Sequence, residues 1–132
     1  MQWRSRYTWA AMTNDVLKYT PKMDKDLVEI VETLRKCKVI RITKFANGSM
    51  NHVFKVETDR GAIVARIFAK KDFPDCRKLL WINKTLLKKN IDVPKILYCS
   101  KGQTPFRYGF MLMEYVEGVS GWTAMREGKI AL

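Results

Sequence analysis

The sequence predicts an α+β domain: a five-stranded antiparallel sheet with flanking helices. Three observations point there. Apolar residues recur at helical spacing in two stretches, near 24–37 and 75–89, and in alternating or β-branched runs in five others. The segments run helix, three strands, helix, two strands, an order that suits a meander followed by a return hairpin. The chain has 132 residues and 47% apolar content, enough to bury a core as one domain. No internal repeat or low-complexity tract interrupts it.

Residues 1–23 read as an N-terminal extension. Trp3, Tyr7, Trp9 and Met12 can pack on the domain or on a partner, and Pro21 is expected to break any helix before Asp24. Asp24 is the expected N-cap of the first helix, with Asp26 and Glu29 in its first turn. Leu27, Ile30, Val31 and Leu34 form its inner stripe, and Arg35, Lys36 and Lys38 suit its negative end. VIRITKF, 39–45, alternates as a strand. FANGSMNHVFKVETDRGAIVARIF, 45–68, then reads as a glycine turn, a strand, the turn TDRG and a second strand.

The second helix, about 75–89, takes Asp75 as cap and Asn90 as its end. Leu79, Ile82, Leu86 and either Trp81 or Leu87 are expected to face inward, with the lysines outward. A strand follows Pro94, where a missing amide is tolerable, and GFMLMEYVEG reads as a strong strand ending at Gly118. The tail, 119–132, reads as a loop entering a helix and stops within an apolar pattern, as a truncation would.

The hairpin holds the chemistry. Gly48 opens backbone conformations closed to other residues. Ser49, Met50 and Asn51 follow with free amides and small polar groups. Alternation puts Val64, Arg66 and Phe68 on one face, and Ile63, Ala65 and Ile67 on the other. An arginine in such an apolar run needs an anionic partner, because an unpaired buried charge is unfavourable. A phosphate near the glycine turn is one candidate. An ordinary hairpin turn and a solvated arginine are the alternative.

The formal charge of +12 favours anionic partners, whether nucleotide, nucleic acid or an acidic surface. The three cysteines, Cys37, Cys76 and Cys99, stand at wide spacing without a CxxC pair. They read as packing thiols in a reducing compartment, and the location is taken as cytoplasmic. The lone His52 makes no metal-ligand pattern with them. No apolar run approaches the roughly eighteen residues of a membrane span, so no membrane partner is expected.

Taken together, NGSMNHVFKV, IVARIF, NIDVPKILY and FMLMEYVEG resemble, in this order, the N-terminal lobe of the aminoglycoside phosphotransferases, the small-molecule relatives of protein kinases. The resemblance covers residues 24–125, with 24–118 as the nucleotide-covering lobe. It implies that Gly48, Ser49, Met50 and Asn51 cover the phosphates of ATP or GTP through backbone amides. Arg66 then reaches the α- and β-phosphates, where permanent charge and paired hydrogen bonds suit it. Val53 and Val64 line the base pocket, Met113 stands at its back, and the backbone of Glu114 and Val116 holds the base edge.

Two departures qualify the resemblance. The family pairs its third-strand cation with a helix glutamate; that position falls near Leu79, and residues 76–91 contain no acid. No histidine–aspartate–asparagine motif follows Gly118, so the catalytic residues and the aspartates that hold Mg2+ are missing. The expectation is an ATP-binding lobe that is inactive alone, a truncated gene product, a fragment or half of a split protein with a possible partner chain, with Mg2+ entering only with the missing lobe. The alternative is a degenerate kinase-like or basic module that binds a protein or nucleic-acid partner without catalysis. No RNA-binding, zinc-finger or helix-turn-helix motif supports nucleic acid specifically. Met113, Tyr115, Val116 and Trp122 are the expected exposed apolar groups of such a half.

Overall fold

In the computed structural model, residues 16–45, 51–71, 75–100, 102 and 105–116 are described. They form α1 (Pro21–Arg35), β1 (Val39–Lys44), β2 (Asn51–Thr58), β3 (Gly61–Phe68), α2 (Cys76–Lys88), β4 (Ile96–Ser100) and β5 (Phe110–Glu114). The five strands make one sheet in the order β1-β2-β3-β5-β4, and every neighbouring pair is antiparallel. The predicted α+β class and five-stranded antiparallel sheet are both present.

The first helix starts earlier than expected. Pro21 opens it and Thr20 is the N-cap residue. Proline's missing N–H falls among the amides that a first turn leaves unpaired, so it starts the helix and does not break it. Asp24 lies inside the first turn, where its Oδ2 accepts a 3.0 Å hydrogen bond from the Tyr19 hydroxyl. Lys36 closes the helix at φ 50°. Asp75 caps α2 as predicted, accepting from the backbone N–H of Arg77 at 3.0 Å and of Lys78 at 3.4 Å. Asn90, at φ 59°, ends the turn that follows α2.

Among the described residues, each face of the sheet carries one helix. Phe54 and Val56 of β2, Ile63, Ala65 and Ile67 of β3, and Phe110 and Leu112 of β5 point to the α1 side. They meet Met23, Leu27 and Val31 of α1, with Phe106 packed edge-on to Phe110 at 5.5 Å. On the other face Phe68 and Met111 pack with Cys76, and the half-buried Leu79, Ile96, Cys99, Tyr108 and Met113 surround them. The period-two alternation read from AIVARIF is what separates these two clusters.

The turn before β5 depends on Gly109. Its φ is +93°, and a Cβ there would stand 2.0 Å from the carbonyl oxygen of Ser100. Glycine alone fits both the conformation and the close approach. The Gly109 carbonyl in turn accepts from the Phe68 N–H at 3.0 Å, tying the turn to β3. β5 ends at Glu114, short of the Gly118 predicted.

Two expectations about side chains need correction. Of the pair Trp81 or Leu87, Leu87 is the half-buried one, whereas Trp81 is 67% exposed and Ile82 also lies outward. α2 meets the sheet along a narrow strip, so positions on its flank stay in solvent. Cys76 and Cys99 are not separate packing thiols: they are joined by a disulfide between the start of α2 and β4, while Cys37 is free. Their common packing against Phe68 and Met111 brings them together, which spacing along the chain does not disclose.

Candidate functional site

The register settles which candidate residues share a face. Val53 stands opposite Arg66 across β2–β3, and Met111 stands opposite Arg66 across β3–β5. Val64 lies between Lys55 and Met113 in the same way, and Asn51 is opposite Phe68. Directly opposed residues point to one side of a sheet. Asn51, Val53, Val64, Arg66 and Met113 therefore all project from the α2 face. Gly48, Ser49 and Met50 belong to the segment 46–50 that joins β1 to β2 and lies outside the described residues.

Arg66 is half-buried, and its Nε is shut from solvent with no hydrogen-bond partner among the described residues. Asn51 is 8% exposed, and its side-chain oxygen is in the same condition. The two residues are diagonal neighbours on adjacent strands, roughly 7–8 Å apart between Cα atoms by strand geometry. A buried guanidinium N–H without an acceptor is unfavourable. The helix over this face offers none, because Leu79, where the resemblance asks for an acid, packs with Phe68 and Met111. Asp75 is occupied at the cap. The ion pairs among the described residues, Lys22–Asp26 and Arg41–Glu57, do not involve Arg66.

At the other end of this face the chain leaves β5 toward Val116. The Glu114 carboxylate accepts from the backbone N–H of Lys95 at 2.8 Å, and the Glu114 N–H donates to the Lys95 carbonyl at 2.9 Å. The Glu114 side chain is thus held by its own fold. Val116 is 65% exposed. Met113 and Tyr115 are half-buried, and the Lys55 ammonium lies over the Tyr115 ring at 4.4 Å from its centroid. Trp122 lies outside the described residues.

Two residues on this face were absent from the sequence-derived set. Lys55 is a second cation on the Arg66 side, and Met111 directly flanks the guanidinium. Counting by twos from Val53 along β2 finds the lysine. Met111 needs the β3–β5 register, which sequence does not supply. His52 points to the opposite face, where its Nε2 is 2.7 Å from the Leu17 carbonyl oxygen to which it donates. Among the described residues no group of three or more His, Cys, Asp and Glu side chains converges as metal ligands, and no helix is long and apolar enough to cross a membrane.

No family model matches this chain, and no curated protein and no solved structure matches it. The fold and the face just described define an α+β domain with one helix on each side of an antiparallel sheet.

Proposed function

We propose that this chain is the nucleotide-binding lobe of a small-molecule kinase of the aminoglycoside phosphotransferase type. It contributes ATP binding, with GTP as the alternative nucleotide, and lacks the catalytic loop and metal-binding aspartates. Phosphoryl transfer then requires the other lobe, whether on the same polypeptide or on a partner chain, which would also bring the Mg2+ site. One observation carries the reading. Among the described residues, Arg66 has a buried N–H without a partner on the face it shares with Asn51, Val53, Val64 and Met113.

A phosphate oxygen would satisfy that donor, and a guanidinium can make two hydrogen bonds to one phosphate. The Asn51 oxygen accepts and cannot bind phosphate, so its partner would be a ribose hydroxyl or an amide. Val53, Val64 and Met113 offer an apolar floor for a base. A cytoplasmic location belongs to the same reading; the Cys76–Cys99 bond, of a kind rare in reducing compartments, weighs against it.

Titration of the full chain with a fluorescent ATP analogue tests the proposal. Arg66→Ala should weaken binding at least about tenfold, the scale of one lost charge-assisted hydrogen bond. Unchanged affinity removes Arg66 from the site. A second reading, a basic module that binds a protein or nucleic acid without catalysis, is supported by the net charge of +12 and by apolar Leu79 where a helix acid is needed. Steeply salt-dependent DNA binding together with indifference to ATP would select it.

A further inference from the structure

We propose that the groove between α2 and β4 is a docking site for an acidic amphipathic segment of a partner protein. This surface is independent of the nucleotide reading, since it includes none of the residues placed around Arg66. The depression measures about 470 Å3, with Leu80, Leu87 and Ile96 as its apolar lining. Lys84, Lys88 and Lys95 stand around it, all exposed, and among the described residues no acidic side chain lines it. Asp92 and Glu114 are the acids on the adjoining segments. Glu114 is engaged by the Lys95 backbone.

The rest of α2 extends the same character. Arg77, Lys78, Lys84 and Lys88 are spaced three, four or seven residues from Trp81, so they surround it on the outer face of the helix. Trp81 is 67% exposed and Leu80 40% exposed. An indole held in solvent beside an apolar groove is the residue type that most often anchors a protein interface.

Charge and shape select the occupant. A second copy of this chain is disfavoured, because each carries +12. A lipid surface is broad and would meet Trp81, but it would not enter a groove lined by Leu87 and Ile96. Single-stranded nucleic acid stacks its bases on aromatic platforms, and this lining is aliphatic; a duplex meets the lysines through phosphates and leaves an apolar groove unfilled. A helix or strand with apolar residues on one side and carboxylates at its flanks satisfies both the lining and the lysines.

The test uses the full chain and a fluorescein-labelled synthetic peptide of about 16 residues, roughly four helical turns. Its leucines share one face and glutamates fill the flanks. Fluorescence anisotropy should show saturable binding. Lys84→Glu with Lys88→Glu, and separately Trp81→Ala, should each weaken it at least about tenfold. A peptide with lysines replacing the glutamates should bind the doubly reversed chain better than the original chain.

No saturation by about 100 μM peptide overturns the proposal, as does binding that both variants leave unchanged. Binding to phosphatidylserine vesicles or single-stranded DNA, with none to the peptide, assigns the surface to lipid or nucleic acid instead and also overturns it. If the double variant loses its far-ultraviolet circular dichroism, Trp81→Ala decides alone.

Discussion

The two faces of the sheet are built to different standards. The α1 face closes on itself: Leu27, Val31, Phe54, Val56, Ala65, Ile67 and Leu112 are wholly shut from solvent. The α2 face has three buried apolar members, Phe68, Cys76 and Met111, inside a ring of half-buried residues. Arg66 stands among them with an unanswered N–H. Both faces come from the same strands, with the same backbone pairing. The difference lies in what alternation delivers to each side. The first face receives a contiguous apolar set from β2, β3 and β5 and becomes core. The second receives Arg66, Lys55 and Asn51 along with apolar groups, and closes less completely.

The comparison breaks most visibly by cutting into the first face. Phe54→Ala should cost about 3–5 kcal/mol, because the side chain is fully enclosed and its loss leaves a cavity. Half-buried Met113→Ala, on the second face, should cost about half that or less. Paired urea titrations read both, and equal losses would remove the distinction. The disulfide comes next, since it fastens α2 to β4 where few buried side chains do so. Its partners are 23 residues apart, and loop-closure entropy puts its contribution at about 3 kcal/mol. A thermal melt with and without dithiothreitol checks this. An unchanged midpoint, with thiol titration confirming reduction, would show that packing alone positions α2.

A smaller effect has the opposite sign. Arg66→Met puts an apolar chain of similar length in place of a guanidinium whose shut-in Nε has no partner among the described residues. The unliganded protein should keep its stability or gain up to about 1 kcal/mol. A clear loss of stability in the same urea titration would show that Arg66 has a structural partner.

The smallest effect is on pH dependence. The Arg41 guanidinium, hydrogen-bonded to Glu57 at 2.6 Å, holds the Glu57 carboxyl below its ordinary value of 4.5; burial acts the other way, and the charges of Arg41 and Lys55 add to the lowering. A carboxyl lowered by folding stabilises the native state above its unfolded pKa, and this is lost as pH falls through the folded value. The pair is exposed, so the loss should be slight. Glu57→Gln should flatten the stability curve in that acid range, as followed by circular dichroism melts.

The helices, the strands and the turn TDRG were legible because each rests on local rules. Asp75 at the head of α2 and the two-residue turn between β2 and β3 illustrate them. Pro21 was misjudged because the same residue breaks a helix interior and starts a helix, and only the neighbouring turn separates the two. Trp81 was left open because helical spacing cannot say how wide a strip the sheet will cover. The candidate face was partly legible. Alternation along AIVARIF placed Val64 and Arg66 together, while Lys55 and Met111 joined them through strand register.

By itself the sequence determined the class of fold, the caps, and the separation of Arg66 from the apolar side of its own strand, because periodicity and capping act within one segment. Tertiary structure alone decided that Cys76 meets Cys99, that Leu79 packs on Phe68 and Met111, and that lysines of α2 and of the segment leading into β4 share one groove. These pairings join residues far apart in the chain. They depend on how the strands return past one another, and no local spacing encodes that path.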